Sequence, residues 1–332
     1  MYQACPPYLR VGTYPTDAHN GAGAYYGANR LTVSEKDKMH GDCLILADSA
    51  DFAGTGFFDS FAIRKDGSLS PELSHIADPS GGHPSNLADN GDVLYAMDDA
   101  NTVLSISVGA SCTLNILSTT TAHNGAFYIN FALVGSTELV APDLNSGNID
   151  VYTLGQGGAV TYLASTAGQI DLPDGIAVQT AKQVNNVFTG SADGGTATAQ
   201  GGQLDPASGA LAFLKGSPAS DSNGINGITL AFDSKDNLLI EGETLSASLG
   251  VYRVKAGVPG TPGSISFLEQ TLLAQSGSAP QVFGQLGKTL LVDGGYNGDV
   301  EACTLSGKGV SGCETILVLT DPSGFSSGIA FC

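Results

Sequence analysis

The chain of 332 residues is poor in positive charge: 13 lysines and arginines face 32 aspartates and glutamates, a formal net charge of −19. Recognition of nucleic acids and anionic membrane surfaces begins with Lys and Arg neutralising phosphate, so this balance excludes both as partners. Arginine is scarcest, with Arg10, Arg30, Arg64 and Arg253 the whole supply. No apolar run reaches the roughly 20 residues that cross a bilayer, which excludes insertion by a helix. Met1 to Pro7 hold neither a basic segment nor an apolar stretch, so they are no signal segment, and a secreted chain would have lost one. Asn-x-Ser/Thr acceptors, Cys-x-x-Cys pairs and His-Glu-x-x-His motifs are also lacking, and no Gly-x-Ser-x-Gly elbow on a strand-to-helix turn is expected in a chain with no helical pattern.

What remains is a globular, turn-rich composition: 42% hydrophobic residues, 45 glycines and only 14% charged residues. That is enough apolar surface to offset chain entropy. Six cysteines in so acidic a chain point to three disulfides and an oxidising, extracellular compartment. Six cysteines allow 15 pairings in principle, and six buried thiols in a reducing compartment are the alternative.

Short β-rich runs ending in acids recur about every 50 residues. They are Cys43 to Asp48, Val93 to Asp98, Glu138 to Asp143, Asn186 to Asp193, Asn237 to Glu243 and Thr289 to Asp293. Another run precedes each, as in Asp174 to Val178, and two follow, as in Asn148 to Leu154 and Val160 to Leu163. Four short strands per repeat predict an all-β propeller, whose sheets bury their faces against their neighbours. Repeats start near Arg30, His83, His123, Asp174, Asn226 and Pro280. The run Ser326 to Cys332 resembles a first strand with no successors, so the N-terminal segment is expected to complete its blade. This makes one domain over 1–332 with seven four-stranded blades, the closing blade shared by about 1–29 and 325–332; six blades with an N-terminal extension is the alternative.

In this register all six cysteines fall on one face. Cys5 to Cys332 closes the ring, Cys303 to Cys313 clips one hairpin, and Cys43 to Cys112 remains. The opposite face collects His83, His123, Asp174 and Asn226 ahead of first strands, and Asp48, Asp98, Asp99, Asp143, Asp193, Glu241, Glu243 and Asp293 at the ends of second strands. Clustered carboxylates suit a hard cation such as Ca²⁺, with Asp98 and Asp143 the first candidates and Asn226, Glu243 and Asp293 further ligand contacts. Asp and Asn are equally what tight turns require. His83 and His123 open consecutive repeats and suit general-base work, with Asp174 beside them. His19, His40 and His75 fall outside this face and have no assigned role, and Asp233 to Asn237 reads as a turn.

Gly82 to Leu154 resembles the lactonase-type seven-bladed propellers, the family of bacterial 6-phosphogluconolactonase and fungal 3-carboxy-cis,cis-muconate cyclase. The residues that carry this are His83-Pro84-Ser85-Asn86-Leu87, Val93-Leu94-Tyr95-Ala96, and Val140 to Leu144 followed by Ile149-Asp150-Val151-Tyr152. The resemblance implies a pocket histidine at His123 and arginines facing an anionic substrate. The sequence departs from the second feature: no arginine occurs between Arg64 and Arg253, and Pro173-Asp174-Gly175 stands where the family has Pro-Arg-His.

Two functions compete. The first expectation is a secreted binding, adhesive or self-assembling structural protein, its missing arginines set against catalysis. The alternative is a lactonase- or cyclase-like hydrolase or isomerase acting on a small molecule at the channel mouth, with His123 as acid/base, His83 assisting, and a metal ion as an option.

Overall fold

A computed structural model of the chain describes residues 9–10, 30–34, 42–48, 55–64, 70–90, 93–181, 183–274, 280, 282–286, 288–293, 299–318 and 330–331. Among these, regular structure is β-strand with three single 3-10 turns. The first sheet holds β2 (Arg30–Ser34), β3 (Asp42–Asp48), β4 (Phe57–Ile63) and β5 (Ser74–Ala77), hydrogen-bonded in that order. The second holds β6 (Pro84–Asp89), β7 (Leu94–Asp98), β8 (Thr102–Val108) and β9 (Leu114–Thr121), and the third β10 (Ala132–Val134), β11 (Glu138–Pro142), β12 (Asn148–Leu154) and β13 (Val160–Ala167). In the fourth, β14 (Pro173–Ala181), β15 (Val184–Ser191), β16 (Thr196–Leu204) and β17 (Leu211–Phe213) are joined by a fifth strand, β18 (Ala219–Ile225), which also pairs with β16.

The fifth sheet is β19 (Gly227–Asp233), β20 (Leu238–Glu243), β21 (Ser248–Val258) and β22 (Thr261–Leu272). The sixth is β23 (Val282–Leu286), β24 (Thr289–Asp293), β25 (Asp299–Ser306) and β26 (Gly309–Val318). A two-stranded pairing joins β1 (Leu9–Arg10) to β27 (Ala330–Phe331), so the two ends of the chain do meet.

Packing groups the chain into two compact units, one of Met1–Ile129, Leu154–Thr161 and Ser327–Cys332, the other of Asn130–Thr153 and Tyr162–Ser326. Within the second, β20 shows how the sheets stack. Successive strand residues point to opposite faces. Leu238 and Ile240 pack with Leu290 and Val292 of the sixth sheet, while Leu239 packs with Phe188 of the fourth. All six residues of β20 are buried, and each apolar one contributes about 1.5 to 3 kcal/mol by leaving water. In the first unit, Ile45, Phe58, Leu94 and Leu104 form the equivalent core between the first two sheets.

Cys43–Cys112 and Cys303–Cys313 are disulfide-bonded, as the register predicts; Cys5 and Cys332 lie outside the described residues. The start expected near His123 is corrected. His123–Gly125 is a 3-10 turn, with Asn124 at φ +53° and Gly125 at φ +72°, and β10 begins only at Ala132. An Asn-Gly pair takes positive φ readily and stops a strand from starting there. No helix among the described residues is long and apolar enough to cross a membrane.

Candidate functional site

Register across the second sheet aligns Pro84, Asp98, Thr102 and Thr121 in one terminal row. Just beyond that row lie His83, the β7–β8 turn with Asp99 and Asn101, and the connection through Ala122 and His123. The turn and the connection touch, because the Ala122 amide donates to the Asn101 carbonyl at 2.8 Å. Asp98 and Asp99 diverge from this row. Asp98 is 1% exposed, whereas the side chain of Asp99 keeps 37% of its exposure and reaches His83.

Asp99 receives two hydrogen bonds from one residue: the His83 backbone N–H reaches Oδ1 at 2.7 Å and the His83 ring Nδ1 reaches Oδ2 at 2.7 Å. Donation from Nδ1 assigns the lone pair of the neutral ring to Nε2, the orientation a general base needs. Gly82 makes the approach possible, since a Cβ there would lie 2.8 Å from that of Ala100 and 2.9 Å from Asp98 Cγ.

Behind the pair, Ser80 Oγ lies 2.6 Å from Asp78 Oδ1 and 2.6 Å from Asp98 Oδ2. One hydroxyl carries one proton, so the second short contact needs a protonated carboxyl donating to Ser80. Burial, opposed by the Ser80 hydrogen bond and helped by the charge of Asp78, pushes Asp98 up to about 7. Asp78 is raised as well, chiefly by burial.

The second unit holds a sealed counterpart. In the fifth sheet Gly227, Glu243, Ser248 and Leu272 form the terminal row. Glu241 and Glu243 lie two residues apart on one face of β20, and Asp221 of β18 joins them, each with no exposed surface. The Tyr252 hydroxyl donates to Glu241 at 2.5 Å, and the Gln270 amide donates to Glu243 at 2.9 Å, as does the Ser248 hydroxyl at shorter range. Asp221 stands beside Glu243, and its charge adds to the upward push of burial on it. Burial pushes Glu241 up to about 8 and Glu243 to about 7, and burial beside Glu241 raises the Tyr252 phenol. Glycine lets backbone close over these acids: a Cβ on Gly227 would fall 2.0 Å from Glu241 Oε1, and one on Gly224 2.1 Å from Glu243 Oε1.

The other expected site residues serve their own neighbourhoods. Asp143 follows β11 and closes its turn, accepting from the Asn145 amide at 3.0 Å and from the Ser146 hydroxyl. Asp193 accepts from the Gly195 amide at 2.7 Å. A cation at Asp98 or Asp143 would have to displace such bonds. Asp174 accepts from the Asn130 amide at 2.5 Å, and Asn226, at φ +63°, donates to Thr244 Oγ1 at 2.7 Å. His123 Nε2 lies 2.8 Å from the Asn124 amide nitrogen. The side chains of Asp48 and Asp293 lie outside the described residues. Asp78, Ser80, Asp221 and Tyr252 were not expected; the only sequence signal for the first two is the turn-forming spacing Asp-Pro-Ser.

No family profile matches the chain, and no curated protein matches it by sequence. Solved structures do match. A Lactobacillus plantarum protein superposes with a TM-score of 0.73 at 16% identity over 95% of this chain and 90% of its own. The periplasmic gluconolactonase PpgL of Pseudomonas aeruginosa gives 0.64 at 16% identity over 94% and 90%. A Bacteroides fragilis protein provisionally described as a 6-phosphogluconolactonase gives 0.71 at 13% identity over 92% and 87%. This chain has the lactonase-type β-propeller fold. That finding corrects the first functional expectation, the adhesive or self-assembling structural protein, because two of these three neighbours are described as lactonases.

Proposed function

We propose that the protein is a lactonase-like hydrolase whose general base is His83, held by Asp99. The observation that carries this is the two-point hydrogen bonding of Asp99 to His83 at the end of the second sheet, and the step requires Nε2, shielded from solvent in this structure, to be uncovered. His83 Nε2 takes a proton from water as the oxygen adds to the lactone carbonyl; the ring C–O bond then breaks, its oxygen takes the proton back, and a hydroxy acid leaves. General-base assistance of this kind contributes about 10²- to 10⁴-fold. His123, across the Ala122–Asn101 contact, belongs to the same wall, so the role expected of it passes to His83.

The charge balance selects the substrate. With acids around His83 and arginine so scarce, an uncharged sugar lactone fits and a phosphorylated one is repelled. Repulsion by Asp99 also helps the anionic product to leave. The same reading takes 1–332 as one seven-bladed domain closed by the β1–β27 pairing. Two disulfides, together with the periplasmic location in the name of the Pseudomonas neighbour, support an extracellular or periplasmic setting.

The test is steady-state hydrolysis of gluconolactone and of its 6-phosphate, corrected for spontaneous opening. The reading expects turnover of the uncharged lactone and its loss in His83→Ala. Preference for the phosphorylated lactone, or full activity in His83→Ala, overturns it.

A further inference from the structure

We propose that Asp59, Glu72 and His75 form a binding site for a zinc-class divalent cation on the outer strands of the first sheet, separate from the His83 site. Asp59 of β4 and His75 of β5 are direct cross-strand partners. Their side chains stand on one face, with Asp59 Oδ1 2.6 Å from His75 Nδ1. Glu72 enters from the chain just before β5, where the Leu73 amide donates to the Ser60 carbonyl at 2.9 Å and fixes the approach. One ligand atom from each of the three lies within 4.8 Å of the other two, the one such group among the described residues.

The ring is oriented independently of its acid partner. Phe57 stacks on it with centroids 4.4 Å apart and planes 22° apart, which sets the plane in which Nδ1 points. Asp59 is 7% exposed, whereas Glu72 and His75 are open to solvent, so an ion has a route in and a buried carboxylate to meet.

Ligand chemistry selects the ion. Two carboxylate oxygens and one imidazole nitrogen are ligands that zinc and its neighbours accept, while calcium takes oxygens alone. Two ligands about 2.0 to 2.1 Å from a tetrahedral ion stand roughly 3.4 Å apart. Side-chain shifts of about 1 Å therefore convert the present cluster into three corners of a tetrahedron and leave the fourth to water. The ion replaces the hydrogen bond between Asp59 and His75, and any proton held there passes to solvent. The outcome is a clip across β4 and β5, the last two strands of their sheet.

The test loads EDTA-treated full-length protein with Co²⁺, whose visible absorption reports coordination, and then displaces it with Zn²⁺. The expected result is one saturable equivalent with a tetrahedral-type spectrum, weakened at least tenfold in His75→Ala and in Asp59→Asn and unchanged in His83→Ala. Glu72→Gln, at an exposed position that folding does not need, gives a second reading should Asp59→Asn fail to fold. Absence of saturable uptake, preference for Ca²⁺ over Co²⁺ and Zn²⁺, or unchanged binding in His75→Ala and Glu72→Gln overturns the proposal. The lactone assay is read separately, so failure of one does not decide the other.

Discussion

The second and fifth sheets end in the same arrangement built from different residues. His83 and Asn226 each stand one residue ahead of the terminal row, and Asp99 and Thr244 each stand one residue past its acid, Asp98 or Glu243. Both pairs close at the same distance: His83 Nδ1 to Asp99 Oδ2 is 2.7 Å, and Asn226 Nδ2 to Thr244 Oγ1 is 2.7 Å. The fold thus supplies a paired position at the end of each sheet, and residue type decides whether the pair can move a proton. Histidine with a half-open carboxylate can; an amide with a hydroxyl cannot. The acids behind the pairs differ in the same sense. Asp98 keeps Ser80 beside it, whereas Glu241 and Glu243 are sealed among glycines next to Asp221 and have their proton affinity raised by burial.

The strongest way to break this comparison is to transplant the neutral pair. The double variant His83→Asn, Asp99→Thr is expected to fold and to lose about 10²- to 10⁴-fold in kcat/KM on an uncharged lactone, about 3 to 5 kcal/mol of barrier. Retained activity in a folded variant would make the two sheet ends equivalent.

The disulfides extend the contrast to stability. Cys43–Cys112 spans a separation of 69 residues and Cys303–Cys313 one of 10. Loop-closure entropy then expects losses of about 4 and about 3 kcal/mol on replacement of each pair by serine, read by denaturant unfolding. Equal losses would show that local packing, not loop length, sets the effect.

The sealed acids predict a pH dependence whose sign is fixed. Glu241 folds with its proton affinity raised to about 8 from an ordinary 4.5, so the folded state holds more protons than the unfolded chain between those values. Stability is full below about pH 4.5, falls as pH rises to about 8 and is level above. Glu241→Gln is expected to flatten that fall by a few kcal/mol, on the order of the shift itself, and to be the more stable form at pH 9. Unfolding curves at several pH values check this; an unchanged slope would mean that Glu241 is ionised in its site.

The smallest effect belongs to Ser80. Ser80→Ala removes a hydrogen bond that lowers Asp98 and is expected to cost about 1 kcal/mol while moving the Asp98 titration upward. A carboxyl-resolved NMR titration reads the midpoint, and a downward move would place the proton elsewhere.

Much of the fold was legible in the residues because its causes are local. Runs such as Leu94 to Asp98 alternate faces, end in turn formers and recur, so strands and their ends follow from the chain alone. Two disulfides followed from which end of a strand each cysteine occupies. The exceptions are equally physical. His123 was placed at a strand start that Asn124 and Gly125 turn aside, and the polar run Ala219–Ile225 became β18 only because β16 offers it a free edge. Asp221 therefore reached Glu243 unannounced.

By itself the sequence determined the run of β-strands, an acid at or just beyond the end of each second strand and the scarcity of cations, since composition, alternation and turn chemistry act between near neighbours. Tertiary structure alone decided which acid meets a histidine, which acids share protons and which, like Asp59 and Glu72, gather around His75. Those outcomes depend on register between strands and on the water that packing removes, and neither is a property of any short stretch of chain.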